Sequence, residues 1–206
     1  VLEQMGGGGN PPNLRAQTAF YDYLMKNYRF ATKTGVEIAG EAGSVIHSPG
    51  DLAARGGAVT YANMAFGQGM QLTMVQVIAA FSAVINGGTY YQPTLILGST
   101  DENGENLTEI APKVVAQNAI APQDSVAMVA MLRDARFLHA PGAKAVDNGY
   151  YCGGKSGTAQ KIDPTTGKYS DTLTTGSYIG FCADATRKPK YAILARVDDA
   201  HNGGYS

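Results

Sequence analysis

The chain of 206 residues has little of what several classes of binding site require. It contains two cysteines and three widely separated histidines, so neither a four-cysteine zinc site nor a histidine-based metal centre is expected. No stretch approaches the roughly 20 apolar residues that cross a bilayer, and the first residues, VLEQMGGGGNPPNL, lack the order of a signal peptide. Its 16 basic and 17 acidic residues form no long runs, which argues against nucleic-acid binding. No metal ion, cofactor or nucleic acid is therefore predicted as a ligand.

The composition is that of a globular protein. Apolar residues make up 44% of the chain, and the 16% that are charged fall below the quarter or so that is usual in soluble domains. The two cysteines, Cys152 and Cys182, fall in separate strand-like segments. They are expected either to form a cross-strand disulfide in an oxidising compartment or to remain buried thiols.

Three helices are predicted in the first two thirds of the chain. In residues 14–28 the apolar side chains recur on one helical face. Residues 74–85, MVQVIAAFSAVI, follow a plausible N-cap at Thr73 and precede two glycines that supply a left-handed stop. This helix is apolar nearly all round, which predicts a central, buried position. A further amphipathic helix is expected to begin near Pro122.

The last third of the chain has the character of a sheet. Residues 149–162, 172–184 and 190–199 are rich in Tyr, Thr, Ile and Val and are joined by short turn-forming segments, so they are expected to be antiparallel neighbours. The predicted fold class is therefore α+β, an antiparallel sheet flanked by helices. Residues 14–148 are expected to form a mainly helical part and residues 149–200 the sheet part.

The remaining segments are predicted to be irregular. Residues 1–13 include a run of glycines and prolines, which is typical of a flexible or linker segment. Residues 35–57 combine short apolar alternation with glycines and prolines, which predicts an irregular connection, and residues 89–100 are predicted to be extended.

The segment YYCGGKSGTAQK, residues 150–161, carries the chemistry that points to a function. Lys155 offers a positive charge, Ser156 and Thr158 offer hydroxyl groups, and Gly157 allows a ligand to approach the backbone closely. An exposed strand edge also leaves main-chain groups available to an extended peptide. Together these features favour a binding site for a peptide or amide that carries a carboxylate.

A similar tripeptide, Lys33, Thr34 and Gly35, occurs earlier in the chain. It follows the first predicted helix in a loop-like region, so it is interpreted as a glycine-terminated turn. The copy at residues 155–157 is preferred as the site because a strand-like segment surrounds it.

Five ordered segments together resemble the transpeptidase domain of class B penicillin-binding proteins. They cover nearly the whole chain after residue 14, and they read YDYLMKNYRFATKTGVEIAGEAG, MAFGQGMQLTMVQVIAAFSAVINGGTYYQPTLI, GGKSGTAQK, YIGFCAD and YAILARVDD. The resemblance implies the fold shared by penicillin-binding transpeptidases and serine β-lactamases, here in an incomplete form spanning residues 14–206.

The resemblance also implies an activity and a set of roles. It implies serine acyl transfer from the D-Ala-D-Ala terminus of a peptidoglycan stem peptide, and acylation by β-lactam antibiotics, in a longer parent protein. Lys155, Ser156 and Gly157 match the family's lysine, hydroxyl and glycine motif, with Lys155 assisting proton transfer. Ser156 and Thr158 would bind the carboxylate, and the main-chain N–H of Thr158 would be an oxyanion-hole donor.

The resemblance further implies a cellular setting in cell-wall synthesis during cell division or the maintenance of cell shape, with other cell-wall synthesis proteins as partners. The site would face the outer side of the bacterial cytoplasmic membrane, held there by an anchor outside this chain.

One part of the family pattern is missing from the sequence. No serine is followed three residues later by lysine, and no Ser-x-Asn occurs. The family needs both, because the lysine one helical turn from the serine activates it as a nucleophile. The expectation is therefore that these motifs lie upstream of Val1, and that the chain alone is inactive.

Two alternatives remain open at the level of the sequence. A D,D-carboxypeptidase or β-lactamase-like hydrolase would use the same fold, with water replacing the acceptor amine. A non-catalytic penicillin-binding or scaffold module would keep the fold without the chemistry.

Overall fold

A computed structural model of the protein describes residues 2, 5, 13–52, 56–139 and 149–199. The predicted linker at residues 1–13 lies largely outside this described part. The chain divides into two compact units, Val1–Ala83 with Gly88–Ile120, and Val84–Gly87 with Ala121–Ser206. The helix that precedes the sheet belongs to the same compact unit as the sheet. The division at residues 148 and 149 that the sequence suggests stays a prediction.

The elements of the described residues follow the order expected for an α+β fold. The helices are α1 (Leu14–Tyr28), α2 (Gly57–Met64), α3 (Met74–Ile85) and α4 (Pro122–His139). The strands are β1 (Tyr90–Tyr91), β2 (Gly98–Ser99), β3 (Thr108–Glu109), β4 (Val114–Ala116), β5 (Tyr151–Ile162), β6 (Tyr169–Ala183) and β7 (Pro189–Asp198).

Helix α1 has the bounds that its apolar pattern predicts. Asn13 caps its first turn, because the side-chain oxygen accepts a hydrogen bond from the Ala16 N–H at 2.9 Å. The helix ends where Arg29 adopts a left-handed conformation with φ of 56°. Leu24 is buried in the core of the first unit.

Helix α3 also has its predicted bounds and begins with a reciprocal cap. The Gln76 N–H donates to the Thr73 hydroxyl at 3.2 Å, and the Gln76 side-chain oxygen accepts from the Thr73 N–H at 3.0 Å. The helix is only in part as buried as its apolar surface suggests. Ala79, Ala80 and Ala83 are buried, whereas Met74 at its start is exposed.

Gln76 is the most buried polar side chain of α3, with no exposed surface. Its Nε2 donates to the carbonyls of Phe30 and Thr32 at 3.1 and 2.8 Å, in the segment that follows α1. The Gln76 side chain thus donates to two main-chain carbonyls of the segment that follows α1. These hydrogen bonds hold that segment against α3.

The sequence analysis did not predict α2, which lies in the first unit. Its start has a left-handed glycine, Gly56 with φ of 77°, and no side-chain cap, so the sequence carries no N-terminal signal. The helix forms because it buries Tyr61 and Met64, which are 0% and 1% exposed. The Tyr61 hydroxyl donates to the His47 carbonyl at 2.8 Å, and burial raises the pKa of this phenol.

The predicted extended segment at residues 89–100 contains two very short strands in the first unit. β1 pairs with β4, and β2 pairs with β3, in two antiparallel two-stranded sheets. Tyr90 of β1 is 2% exposed and belongs to the core.

The second unit is built on an antiparallel sheet with the strand order β5, β6, β7. The prediction of three antiparallel neighbours is confirmed. β6 begins at Tyr169, earlier than the predicted residue 172, because Ile162 pairs with Tyr169 across the turn at residues 163–168. That turn is closed by a hydrogen bond from the Gly167 N–H to the Asp163 carbonyl at 2.8 Å.

The cysteines of the second unit form a cross-strand disulfide. Cys152 and Cys182 are directly opposite partners on β5 and β6, and a disulfide joins them with a Cα to Cα distance of 4.1 Å. Of the two arrangements that the sequence left open, the disulfide is therefore the one observed.

Candidate active site

The strand that carries the predicted site is β5. Among the described strands it pairs with β6 alone, so it forms one edge of its sheet. Residues 155–158 lie in the middle of this strand and pair with Ile179, Tyr178, Ser177 and Gly176 of β6. The central position holds their backbone in place, while the other side of the strand is not covered by a strand of the described part.

The phase of the β5–β6 ladder follows from the disulfide. Opposite residues in an antiparallel pair alternate between hydrogen-bonded pairs about 5.5 Å apart and non-hydrogen-bonded pairs about 4.5 Å apart. The 4.1 Å separation of Cys152 and Cys182 places them in the second class. Counting along the strand, Ser156 and Thr158 also belong to that class, so their main-chain N–H and C=O groups are directed away from β6.

The side chains of the motif alternate across the sheet as expected for a strand. Lys155 is exposed, and its Nζ donates to the Ser156 carbonyl at 2.7 Å, at the side of the strand away from β6. Ser156 is half-buried and Thr158 is exposed. Residues 155–158 of this edge strand therefore present one positive charge, two hydroxyl groups and main-chain groups directed away from β6.

Two glycines before Lys155 allow close packing on both faces of β5. A Cβ at Gly153 would lie 2.7 Å from the main-chain N of Arg133, because α4 crosses the strand there. A Cβ at Gly154 would lie 2.3 Å from the Tyr178 hydroxyl oxygen on the other face. Immediately before Lys155, the strand therefore packs against α4 on one face and against the Tyr178 ring on the other.

Tyr178 is a residue that the sequence reasoning missed. Tyr178 pairs with Ser156, and its ring lies over Gly154 on the neighbouring strand. A ring carbon also lies 2.8 Å from the position that a Cβ of Gly180 would take. The signal in the sequence is Gly154, directly before Lys155, and Gly180, two residues after the tyrosine. Sequence alone does not show that these two glycines face one ring.

The second copy of the motif has a different environment, in the first unit. Gly35 has a positive φ of 79°, and the N–H and hydroxyl of Thr34 both donate to Glu41 at 2.7 Å. The Thr34 hydroxyl bond, the largest contribution, lowers the pKa of the Glu41 carboxyl from its ordinary value. Residues 33–35 therefore form a turn closed on a carboxylate, as interpreted from the sequence.

The two aspartates at the end of β7 also make contacts within the protein. Asp198 accepts hydrogen bonds from the Thr175 hydroxyl at 2.6 Å and from Arg196, and Asp199 forms an ion pair with Lys161 at 2.7 Å. In the part of the chain that the structure describes, no group of three or more His, Cys, Asp or Glu side chains is placed to hold a metal ion.

Comparison with known protein families identifies the fold and the family together. The family model for the penicillin binding protein transpeptidase domain matches residues 14–206. The chain belongs to this family. The resemblance that the five segments suggest is therefore confirmed, as is the α+β fold class.

Curated relatives agree with this assignment. Stage V sporulation protein D of Bacillus subtilis is 33% identical over 180 residues, which is 85% of this chain and 26% of that protein. Penicillin-binding protein PbpB of Mycobacterium tuberculosis is 30% identical over 87% of this chain and 26% of its own length. The chain thus spans about a quarter of the length of these relatives.

The solved structure of penicillin binding protein 3 from Mycobacterium tuberculosis is similar over 97% of this chain and 45% of that chain, with a TM-score of 0.72 and 26% identity. The same protein has also been solved in complexes with aztreonam and ampicillin.

None of the helices in the described residues is both long and apolar enough to span a membrane.

Proposed function

We propose that this chain supplies one wall of the active site of a peptidoglycan D,D-transpeptidase, on the strand that carries residues 155–158. The observation that carries the proposal is that Lys155, Ser156 and Gly157 lie on an edge strand, with the main-chain groups of Ser156 and Thr158 directed outward. A relative from Mesostigma viride, 26% identical over 65% of this chain and 24% of its own length, is named a peptidoglycan D,D-transpeptidase.

The proposed roles follow from the position of each group. An extended peptide laid along the open side of β5 meets outward N–H and C=O groups at Ser156 and Thr158, as in the addition of a strand to a sheet. The hydroxyls of Ser156 and Thr158 bind the terminal carboxylate of the stem peptide, or the carboxylate of a β-lactam. Lys155 adds positive charge and assists proton transfer.

The Thr158 N–H is proposed to donate to the oxyanion that forms when the carbonyl is attacked. Its direction, away from β6, suits that role because the donor must point at the reacting atom rather than into the ladder. Losing one such donor costs about 2.7 to 4 kcal/mol of transition-state stabilisation in serine hydrolases.

The attacking serine is proposed to come from a segment of the full-length protein outside these residues, in a Ser-x-x-Lys motif. On that account the chain by itself is not acylated. The full-length protein would act at the outer face of the bacterial cytoplasmic membrane, together with other cell-wall synthesis proteins.

Covalent labelling by a fluorescent penicillin tests the proposal in the full-length gene product that contains this chain. Lys155→Ala is expected to abolish labelling or slow it by at least a hundredfold. Lys33→Ala is the matched control, because it removes the lysine of the other K-[ST]-G tripeptide, and it should label at the normal rate. Normal labelling of Lys155→Ala would remove this lysine from the mechanism.

A further inference from the structure

A second cleft lies wholly within the second unit, away from residues 155–158. It has a volume of about 660 Å³ and is bounded by the first half of α4, by residues 85–87, by the start of β5 and by the turn between β6 and β7. This volume is in the range of about 300 to 1,000 Å³ that is typical of sites for small molecules. Tyr151 in its wall precedes Lys155 by four residues, or roughly 13 Å along the strand.

The floor of the cleft is apolar. It is formed by Ile85 together with Val126, Val129 and Ala130 of α4. Ser125 also lines the cleft, and its hydroxyl donates to the Val84 carbonyl at 2.6 Å and accepts from the Gly87 N–H at 3.0 Å. Its hydrogen-bonding capacity is thus used inside the protein.

The rim of the cleft is positively charged. Arg187 and Lys188 line it from the β6–β7 turn and Lys190 from the start of β7. No ion pair joins any of them to a carboxylate of the described residues, although the Lys190 charge adds to the Thr186 hydrogen bonds in lowering the pKa of Asp184. Asp184, at the base of the turn, accepts hydrogen bonds from the N–H and hydroxyl of Thr186 and lines a neighbouring cavity, which Lys190 also lines, rather than this one.

Arg187 is held in place over the cleft wall. Its backbone is left-handed, with φ of 60°, and its N–H donates to the Asp184 carbonyl at 3.0 Å. The guanidinium carbon lies 5.4 Å from the centre of the Tyr151 ring. Stacking on an aromatic face leaves the N–H groups at the edge of the guanidinium able to bind a carboxylate or phosphate in the bidentate manner.

We propose that this cleft binds an anionic amphiphile, with its aliphatic body on the apolar floor and its carboxylate or phosphate group at Arg187, Lys188 and Lys190. The rim provides charge complementarity, and the floor provides apolar contact. Although Asn86 and Ser125 also line the cleft, the floor itself offers no side-chain hydrogen bond to the amides of a peptide, which favours an aliphatic body there. The inference does not depend on the proposed transpeptidase function.

Equilibrium dialysis of the full-length gene product against radiolabelled decanoate, below its micelle concentration, tests this proposal. Saturable binding of one decanoate per chain is expected. Decanol has the same body without the charge and should bind at least tenfold more weakly, and decylammonium should show no saturable binding. Decyl phosphate distinguishes a phosphate head group from a carboxylate.

Substitutions locate the binding. Val126 is 72% exposed, so Val126→Asp should leave the fold intact while its charge repels the ligand, and affinity should fall at least tenfold. Met131→Asp is the matched control, since Met131 lies on the same helix, is 63% exposed and does not line the cleft. Replacing Arg187 and Lys190 together by glutamine should also reduce affinity at least tenfold.

Three results would overturn the proposal: absence of saturable decanoate binding, equal affinity in the Val126→Asp and Met131→Asp variants, or stronger binding of the acidic peptide acetyl-Glu-Leu-Glu-Leu-amide than of decanoate. Penicillin labelling should be unchanged in Val126→Asp, so a failure here is separate from a failure of the proposed function.

Discussion

The main chain of Arg133 in α4 lies directly against Gly153 of β5, so that a Cβ on the glycine would be 2.7 Å from the arginine N atom. The contact leaves no room for a side chain, since real Cβ atoms essentially never approach another heavy atom so closely. It lies two residues before Lys155. The helix therefore sets the position of the strand that presents the proposed site.

Gly153→Ala is expected to destabilise the protein, because the helix backbone cannot yield as a flexible side chain could. Overpacking of this kind costs typically 1 to 3 kcal/mol, and denaturant unfolding measures it. Gly43→Ala is the control, since nothing lies within 4 Å of where its Cβ would be, and it should change stability by less than about 0.5 kcal/mol. Equal stability of the two variants would contradict the contact.

The disulfide is expected to contribute substantially to stability. Cys152 and Cys182 are separated by 30 residues in sequence, and a loop of that size corresponds to about 3 to 4 kcal/mol in the chain-entropy model. Replacing both by serine should lower the free energy of unfolding, and a reductant should destabilise the native protein but not the double variant. A native protein insensitive to reductant, with no protection from thiol alkylation, would contradict the disulfide.

Gln76 is expected to be intolerant of truncation. Gln76→Ala removes the hydrogen bonds of a buried amide to the carbonyls of Phe30 and Thr32, and each such bond contributes about 0.5 to 1.5 kcal/mol net. Gln123→Ala is the control, because Gln123 is exposed on α4. Thermal unfolding compares the two, and a Gln123→Ala variant that loses as much stability as Gln76→Ala would exclude a special role for the buried amide.

The carboxyl of Glu41 is expected to titrate below its ordinary pKa. The Thr34 hydroxyl is the first cause of the lowered pKa, so Thr34→Val should raise it towards the ordinary value. Because the pKa is lower in the folded state, the stabilisation is present above the unfolded pKa and is lost as the pH falls through the folded one. Carboxyl-detected NMR titration measures the shift.

Thr32→Val is the control for this titration, since the Thr32 hydroxyl donates to the Arg29 carbonyl instead of the carboxylate. An identical Glu41 pKa in both threonine variants would show that the hydroxyl bond does not set it.

Helices α1 and α3 could be predicted from the sequence because local signals specify them. Asn13 and Thr73 are side-chain caps, and the apolar periodicity between cap and stop gives the length. Helix α2 has neither signal, since Gly56 starts it, and it depends on the burial of Tyr61 and Met64 by segments distant in sequence. The two-residue strands are likewise too short to show alternation.

The candidate site could be predicted as a motif but not as a geometry. The sequence places Lys155 in a strand, and the choice of this copy over Lys33 follows from the neighbouring residues. The contacts of Gly153 with Arg133 and of Gly154 with Tyr178 join segments that are far apart in the chain, so periodicity and composition carry no information about them. The pairing of Cys152 with Cys182 likewise fixes which main-chain groups of β5 face outward.

The most direct test of the proposed function is a crystal structure of the full-length gene product after reaction with ampicillin. The account predicts that the carboxylate of the bound drug lies within hydrogen-bonding distance, about 3 Å, of the hydroxyls of Ser156 and Thr158. Its carbonyl oxygen should lie at the same distance from the Thr158 N–H. A covalent complex whose carboxylate and carbonyl both lie away from β5 would contradict it.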